Sequence, residues 1–504
     1  MSSSVAPTSS PVSSKERWLA LIAVIIGAFA AVLNNSLINV AIPSLTIDLG
    51  STTNKIQWVL TGYMLASGVI IPIIGYMEER IGYKKFLILA LSVFTSGSVL
   101  CAFAWNDTSL IVARIITGLG GGIIGPLSMA VIYKIMPREQ IGTALGLWGV
   151  SAMVAPAIGP TLSGYLIEWF NWRFLFIICV PVGLFAILAV WLLLKEPPKV
   201  EPKSFDFIGF LLAATFAGTL MYALSSGQSS GWTSFEIVGL FFISFWSLIF
   251  LIFVEANAEN PVIDLSLFKN VTFMLSIFIS SLVMAGLMGV MFILPLFLQN
   301  IQQMGPIDTG LLMMPQAICM AIMMPVAGKL FDKIGPVPLG VVGLALMTIT
   351  TYQLHILTAD TMHEWMVPIL MIRGIGVGLC MMPISTAGMN AVAPQLISKA
   401  SALSNLIRQV ASSISIVLFT LVMQNRTATH LQHITDSVSI ESAQAAKSQL
   451  GTNWSVTLAG LIQKEATTRG MVDTFYVCAI PLVICIPLVF VFMKKKKPKS
   501  VADT

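Results

Sequence analysis

The chain has 504 residues, of which 56% are hydrophobic and only 10% are charged, and its formal net charge at pH 7 is +5. Average soluble domains carry about 25% charged residues, and a mean hydropathy of +0.87 leaves too few polar side chains to cover a water-facing exterior. This composition excludes a soluble enzyme, a secreted disulfide scaffold and a nucleic-acid-binding protein, and it predicts a chain that lies mostly in lipid.

Fourteen apolar segments are long enough to cross a bilayer, because a spanning helix needs about 20 mostly apolar residues. Each span must satisfy its own backbone hydrogen bonds in lipid, so long apolar runs indicate helices rather than a barrel. The predicted spans are Trp18–Asn39, Gln57–Met77, Phe86–Trp105, Leu110–Ile132, Ala144–Ile167, Phe174–Leu194, Phe207–Leu224, Phe235–Val254, Phe273–Leu298, Gly310–Leu330, Val337–Leu357, Met366–Asn390, Ala402–Met423 and Phe475–Met493.

Lysine and arginine are distributed asymmetrically between the two sides of these spans. With the N-terminus placed inside, nineteen of the 28 fall in inside segments and six in outside segments, while Arg114, Arg373 and Arg408 lie within spans. Cytoplasmic loops are enriched in positive residues. The sequence therefore predicts a multi-pass cell-membrane protein with both termini in the cytoplasm. The abundance of lysine and the lack of a eukaryotic sorting signal favour a bacterial source.

Two motifs recur at nearly the same distance along the chain. The residues around Gly75 recur around Gly328, 253 residues later, and Arg114 recurs as Arg373, 259 residues later. Such offsets indicate a duplicated unit, and parallel repeats of six spans are a known plan of secondary transporters. We predict an all-α membrane protein with two six-helix bundles and two extra helices between them.

The predicted boundaries of these parts follow the apolar spans and the polar segments between them. We interpret the long outside loop as a passive surface segment, with a short amphipathic helix containing Leu431, Ile434, Val438 and Leu450 as the alternative. The parts are a cytoplasmic tail (1–17), a six-helix bundle (18–194), a cytoplasmic linker (195–206), two inserted helices (207–254), a cytoplasmic loop (255–272), a second six-helix bundle (273–493) with an outside loop (425–470), and a basic cytoplasmic tail (494–504).

A charged motif closes the second span and recurs after the tenth. We predict that its carboxylates, Glu79 and Asp332, hold the cytoplasmic face closed by pairing across a helix interface. A plain charge cluster that sets topology is the alternative, but it does not explain the duplication. The gating residues of this motif are Gly75, Glu79, Arg80, Gly82, Lys84, Asp332 and Lys333.

Arg114 lies inside an apolar span, where a charge costs at least about 2.5–3.5 kcal/mol on insertion scales. Because intramembrane charge is functional by default, we predict that Arg114 takes part in proton coupling. The alternative is a packing strut bonded to backbone carbonyls. Arg373 raises the same question, and so does Arg408, for which the polar neighbours Asn405 and Gln409 favour the structural alternative.

The fifth span carries two prolines and two glycines in a short stretch, Pro156, Gly159, Pro160 and Gly164. The prolines remove two backbone donors and weaken the helix locally. We predict a bend that fits against a partner helix and limits leakage, with a fixed kink as the alternative.

Glycines at GxGxxG spacing in the fourth span, Gly120, Gly122 and Gly125, indicate close helix packing rather than a nucleotide loop, since no strand precedes them. No phosphate-binding loop of the GxxxxGK[ST] type occurs. We therefore predict no ATP site, no cofactor and no metal.

These motifs resemble those of the major facilitator superfamily, in particular its fourteen-helix drug:proton antiporter branch of multidrug and quaternary-ammonium exporters. The resemblance covers nearly the whole chain and rests on Gly75–Lys85, on Arg114 with Gly118, and on Gly159-Pro160 with Gly164. It implies a secondary active transporter that exports hydrophobic drugs or toxic compounds by proton antiport with alternating access, and hence antibiotic resistance. The alternative is a dedicated exporter of a lipid, peptide or anionic metabolite. An enzyme or a sensor is disfavoured, because no catalytic constellation or soluble signalling domain is present.

Asn34 stands where this branch usually carries an aspartate. The resemblance therefore leaves the proton-carrying group open, and the peripheral carboxylates Glu236 and Glu255 are candidates. The implied partners are the lipid bilayer, protons and small hydrophobic substrates, without nucleic acid, and a membrane-fusion partner is left open. The residues predicted to line the substrate cavity are Asn34, Asn39, Gln57, Tyr63 and Arg373.

Overall fold

The computed structural model describes residues 14–38, 41–137, 140–195, 205–437 and 454–491, and within these ranges the chain forms helices and no strand. Fourteen helices are apolar and long enough to cross a bilayer, if the bent fifth helix is counted as one span. The predicted all-α fold with fourteen spans is thereby confirmed. The helices are α1 (Ser14–Ile38), α2 (Trp58–Ile81), α3 (Tyr83–Ala102), α4 (Asp107–Ile135), α5 (Ile141–Trp169), α6 (Phe174–Leu193), α7 (Phe207–Ser230), α8 (Phe235–Asn257), α9 (Val271–Asn300), α10 (Pro306–Ile334), α11 (Pro336–Gln353), α12 (His363–Asn390), α13 (Ile397–Ser437) and α14 (Trp454–Val489).

Helices α1–α6 and α9–α14 form two bundles that repeat the same contacts. Helix α1 packs on α5 and α6, as α9 packs on α13 and α14, and α3 packs on α4 and α6, as α11 packs on α12 and α14. The pairs α2–α4 and α10–α12 complete the correspondence. The fold is therefore two six-helix bundles in parallel repeat. The two extra helices, α7 and α8, pack on each other, and α7 also lies against α2 and α13.

The repeat extends to two turns at one end of the molecule. Gly82 joins α2 to α3 with φ +83°, and Gly335 joins α10 to α11 with φ +79°. This backbone region favours glycine because a Cβ would be strained there. We call the end of the bundles that carries these turns the inner face, since the sequence predicts that it faces the cytoplasm.

Glycines on α4 bring its neighbours close, as the sequence predicts. A Cβ at Gly118 would lie 2.6 Å from the backbone oxygen of Tyr63 on α2, and one at Gly120 would lie 2.6 Å from that of Ala90 on α3. Gly122 contacts the backbone of Ser67 in the same way. Small residues allow such close approach between helices in lipid. This packing fixes the backbone around Tyr63.

Helix α5 bends by 45° between Pro156 and Thr161, as the two prolines predict. The bend fits a partner helix, because a Cβ on Gly159 would collide with the side chain of Ser36 on α1. The Ser36 hydroxyl donates to the backbone oxygen of Pro156 at 3.4 Å. Farther along, a Cβ on Gly164 would lie 3.3 Å from Ile307 on α10. The side chain of Pro160 lies outside the described residues.

Within the segment 425–470, the described residues 425–437 and 454–470 are helical. Helix α13 continues to Ser437, and α14 already begins at Trp454. Leu431 and Ile434 lie in α13, whereas Val438 and Leu450 lie outside the described residues. The two apolar spans therefore extend as polar helices beyond the lengths that hydropathy indicates.

Contacts between the two extensions explain why they stay helical. The Arg426 Nε donates to Asp473 Oδ2 at 2.6 Å, and the ring nitrogen Nε2 of His430 lies 2.8 Å from the same oxygen. A Cβ on Gly470 would lie 2.8 Å from the backbone nitrogen of Thr427. Polar contacts thus join the two extensions close to where the apolar spans end.

Candidate functional site

A buried polar cluster centred on Arg114 ties three helices of the first bundle together. Arg114 on α4 is fully buried. Its Nη1 donates to Asn34 Oδ1 of α1 at 2.5 Å, and its Nε donates to the backbone oxygen of Val59 on α2 at 3.0 Å. The guanidinium also lies 4.3 Å over the ring of Tyr63. No described carboxylate forms an ion pair with Arg114, so its charge is balanced by neutral acceptors and a π face.

Tyr63 connects this cluster to a cavity between the two bundles. One side of its ring faces Arg114, and its hydroxyl lies against Gly121 of α4. The cavity has a volume of about 300 Å³, which is at the lower end of the range for small-molecule sites. Its walls are Tyr63, Met64, Ser67 and Ile71 of α2, Gly121, Gly122 and Pro126 of α4, Met284 of α9, and Asn405, Arg408, Gln409, Ser412 and Ser413 of α13.

Of the residues predicted to line the cavity, Tyr63 does so. Asn34 is fully buried and faces Arg114 rather than the cavity, because α1 turns its amide towards α4. Gln57 is exposed where α2 begins. Asn39 lies outside the described residues.

Arg373, the repeat partner of Arg114, sits inside the second bundle. It is fully buried, its Nε donates to Thr351 Oγ1 at 3.2 Å, and its Nη2 donates to the backbone oxygen of Gly286 at 2.9 Å. It is not one of the cavity walls. These bonds join α9, α11 and α12. Arg373 therefore has the contacts of a packing strut, the alternative to a functional role.

The inner face is closed by contacts that follow the repeat. Gly75 of α2 packs on Lys399 near the beginning of α13, and a Cβ on Gly75 would lie 2.7 Å from Lys399 Cγ. Gly328 of α10 packs on Gly142 of α5, and a Cβ on Gly142 would lie 2.7 Å from the Gly328 carbonyl. The second helix of each bundle thus meets the fifth helix of the other. The buried Ser401 hydroxyl also donates to the backbone oxygen of Pro126 at 2.9 Å.

The charged motif behind this closure also holds a buried carboxylate that the sequence analysis does not single out. The buried carboxylate is Glu78, not Glu79, and it pairs with Lys134 of the same bundle. Arg80 is exposed and donates to the Tyr76 hydroxyl at 2.8 Å. Lys84 is half-buried.

The copy of the motif on α10 lies at the interface between the bundles. Asp332 and Lys333 are exposed, and a Cβ on Gly142 of α5 would lie 2.8 Å from Asp332 Oδ1. Glu79 lines a small recess at the inner face with Tyr76, Phe205, Asp206, Asn260, Pro261, Val262 and Lys399. Both carboxylates predicted to act in gating therefore lie where the two halves meet.

A pair of carboxyl groups beside this recess was not predicted from the spacing of residues. Glu255 is only 3% exposed, its Oε1 accepts from the backbone nitrogen of Ile263 at 3.2 Å, and its Oε2 bonds no described residue. Asp206 caps α7 by accepting from Gly209 at 2.7 Å, and its Oδ2 is buried without a described partner. Both carboxyl groups lie against Gly209.

Comparison with known proteins agrees with this architecture. Residues 24–416 match the profile of the Major Facilitator Superfamily. The chain belongs to the major facilitator superfamily. It is therefore a multi-pass membrane transporter, as the resemblance of its motifs predicts.

Relatives in this superfamily include multidrug exporters. The chain is 37% identical over 442 residues to the uncharacterized MFS-type transporter YhcA of Bacillus subtilis, covering 86% of this chain and 83% of that protein. It is 29% identical to the multidrug export protein EmrB of Escherichia coli, covering 92% of both chains. The solved structure of the proton:xylose symporter XylE matches 95% of this chain and 96% of that chain with a TM-score of 0.62 at 14% identity, which supports the fold alone.

Proposed function

We propose that the protein exports lipophilic small molecules across the cell membrane by proton antiport with alternating access. The observation that carries this proposal is the cavity between the two bundles, closed at the inner face by contacts that obey the internal repeat. A site between two repeated bundles gains access to each side in turn when the bundles rock. The exporter homologues support outward transport of drug-like compounds.

In this mechanism the glycine contacts of the inner face are the elements that open. Gly142 and Gly328 let α5 and α10 touch through their backbones, and Gly75 lets α2 touch Lys399. The contact between Gly142 and Gly328 involves no side chain that must rearrange, so α5 and α10 can separate and close again as rigid bodies. We propose that the parts outlined by the sequence, α1–α6 and α9–α14, are these moving bodies and that both termini lie in the cytoplasm.

We propose that Arg114 transmits the state of the cavity to the first bundle through Tyr63. The ring of Tyr63 contacts the guanidinium on one side and forms a cavity wall on the other. A cargo that displaces this ring changes the position of the charge that Asn34 and Val59 hold. Arg114 therefore acts as a positioning residue for coupling, and it does not carry the proton itself.

The group that carries the coupled proton is proposed to be Glu255. Neighbouring carboxyl groups in a buried site resist double ionisation, and Glu255 and Asp206 both flank Gly209. Lys399, the cation that lies in the adjacent recess, belongs to the second bundle. Rocking of the bundles therefore changes the charge beside the pair, which couples the protonation of Glu255 to the conformation of the protein.

A growth experiment tests the export function. A strain that lacks the gene is grown with a panel of neutral, anionic and cationic toxic compounds, with and without plasmid-borne wild-type protein or Arg114→Ala. We expect the wild-type protein to raise tolerance to several unrelated lipophilic compounds and Arg114→Ala to fail despite reaching the membrane. Equal tolerance of all strains to every compound would contradict multidrug export. Protection against a single compound would favour the dedicated exporter instead.

A further inference from the structure

Arg408 of α13 differs from the other two intramembrane arginines because it forms part of the cavity wall. Arg114 and Arg373 are fully buried, and each donates to a backbone carbonyl of a neighbouring helix. Arg408 is half-buried, and its one hydrogen bond to a described residue runs from Nη2 to Asn405 Oδ1 at 3.0 Å, within the same helix. The other donors of this guanidinium form no hydrogen bond to a described residue.

No carboxylate among the described residues balances the charge of Arg408. The cavity walls are hydroxyl, amide, aromatic, aliphatic and thioether groups, and Arg408 is the cation among them. None of the described acidic residues forms an ion pair with it. A charged group at membrane depth is costly unless it is paired. The cavity therefore presents an uncompensated positive charge beside apolar surface.

We infer that the cavity binds lipophilic molecules that carry a carboxylate, and that Arg408 is the group that binds the carboxylate. A guanidinium offers a planar fork that matches a carboxylate with two parallel hydrogen bonds. Asn405, another residue of the cavity wall, accepts a hydrogen bond from one Nη, while Met284 and Ile71 supply apolar contact for the rest of the molecule. This inference rests on the proposed export function and specifies its substrate class.

The same arrangement disfavours cationic cargo. A lipophilic cation in the cavity would lie near Arg408 without any carboxylate among the walls to attract it, and like charges repel strongly in a medium of low dielectric constant. We therefore expect an order of preference in which the anion binds more tightly than the neutral molecule and the cation binds least.

Three probes with one apolar body test this order: pyrenebutyrate, pyrenebutanol and pyrenebutyl-trimethylammonium. Their binding is measured by fluorescence with the full-length protein in lipid nanodiscs, after subtraction of empty nanodiscs, for the wild type, Arg408→Gln, Arg408→Lys and the control Arg426→Gln. The control removes the same charge from the polar extension of α13, where Arg426 bonds Asp473. Thermal melting of each sample verifies folding.

We expect the wild type and Arg426→Gln to bind pyrenebutyrate at least about tenfold more tightly than pyrenebutanol, the factor that corresponds to about 1.4 kcal/mol. In Arg408→Gln this ratio should fall to near one, and Arg408→Lys should restore part of it, since lysine keeps the charge but loses the fork. Equal binding of the acid and the alcohol by the wild type, or a ratio that survives in folded Arg408→Gln, would overturn the inference and leave the export function standing. Failure of the folded wild type to bind any of the three probes would also overturn this substrate class, and the growth experiment above then decides whether the export function stands.

Discussion

The replacement Arg114→Lys probes the buried cluster most sharply, because it keeps the charge and removes the fork. In the wild-type protein one guanidinium bonds both Asn34 Oδ1 and the Val59 carbonyl while it lies over Tyr63. A lysine ammonium is a compact point charge that cannot hold this geometry. At least one of the two buried acceptors then loses its donor, and the contact with the Tyr63 ring is weakened.

The size of the effect follows from these contacts. A buried acceptor without a donor costs about 1–3 kcal/mol, and a desolvated cation–π contact is worth about 1–2 kcal/mol. The closed conformation should therefore lose about 2–5 kcal/mol, which shifts its equilibrium with other conformations roughly 30- to 4,000-fold at tenfold per 1.4 kcal/mol. We expect the transport rate per protein molecule to fall at least about tenfold.

Efflux from energised cells, divided by the amount of protein in the membrane, measures this fall. Arg373→Lys is the matched control: it is the repeat-related residue, and it also loses bonds to Thr351 and the Gly286 carbonyl. Both variants should melt at lower temperature, but Arg373→Lys should keep efflux within about twofold of the wild type, since its effect is on stability. Wild-type efflux in Arg114→Lys would refute the role assigned to the cluster and leave Arg114 as a packing strut.

Three further predictions concern the contacts around the cavity. Gly328→Val should force α10 away from Gly142, so that a cysteine introduced by Ser401→Cys becomes reactive to maleimide. The control Gly239→Val places its side chain in open space and should leave that cysteine protected. Equal labelling of the two variants would count against the inner closure. Glu255→Gln should abolish the stimulation of efflux by a pH gradient but preserve substrate exchange without a gradient. If the gradient still stimulates efflux in Glu255→Gln and fails to do so in Glu236→Gln, Glu236 at the start of α8 is the proton site instead. Gly159→Ala should lower thermal stability by about 1–3 kcal/mol through overpacking, and Ser36→Gly should restore it, whereas no rescue would mean that the contact between α1 and α5 is not the cause.

The sequence determines the fold to a large extent because lipid imposes simple requirements. A run of about 20 apolar residues has to be helical, and the duplication is visible in the motifs around Gly75 and Gly328. Even the turns follow from it, since Gly82 and Gly335 adopt the same left-handed conformation. The helices extend furthest beyond the predicted apolar spans at α13 and α14, whose polar extensions bond each other.

The site was less predictable because rotation of each helix decides what a side chain contacts. Adjacent residues on a helix point about 100° apart. The motif therefore does not indicate which of its two glutamates, Glu78 or Glu79, pairs with Lys134, and in the structure it is Glu78. Asn34 likewise faces Arg114 instead of the cavity. Arg408, which sequence reasoning set aside because its neighbours are polar, lies in the cavity wall. Its polar neighbours were the available signal, since polar residues in lipid-embedded helices gather where helices face a cavity or each other.

The pair formed by Asp206 and Glu255 is a similar case. The two residues belong to different helices of the inserted pair, and only the packing of α7 on α8 brings both to Gly209. Glu255 was a candidate for the proton site because it is a carboxylate near a membrane edge. Its burial and its lack of a partner for Oε2 are properties of the fold.

The central claim is that movement of cargo through this cavity is coupled to protons. The most direct test uses proteoliposomes in which the purified protein is oriented with its inner face outwards. Their lumen is made acidic, and the luminal pH is followed by the fluorescence of an acridine dye. Addition of a neutral antibiotic such as chloramphenicol, or of pyrenebutyrate, should discharge part of the gradient in wild-type vesicles, because cargo enters as protons leave. Glu255→Gln vesicles should show no such discharge. A gradient that responds to neither compound, while both still accumulate in wild-type vesicles above protein-free ones, would contradict proton coupling.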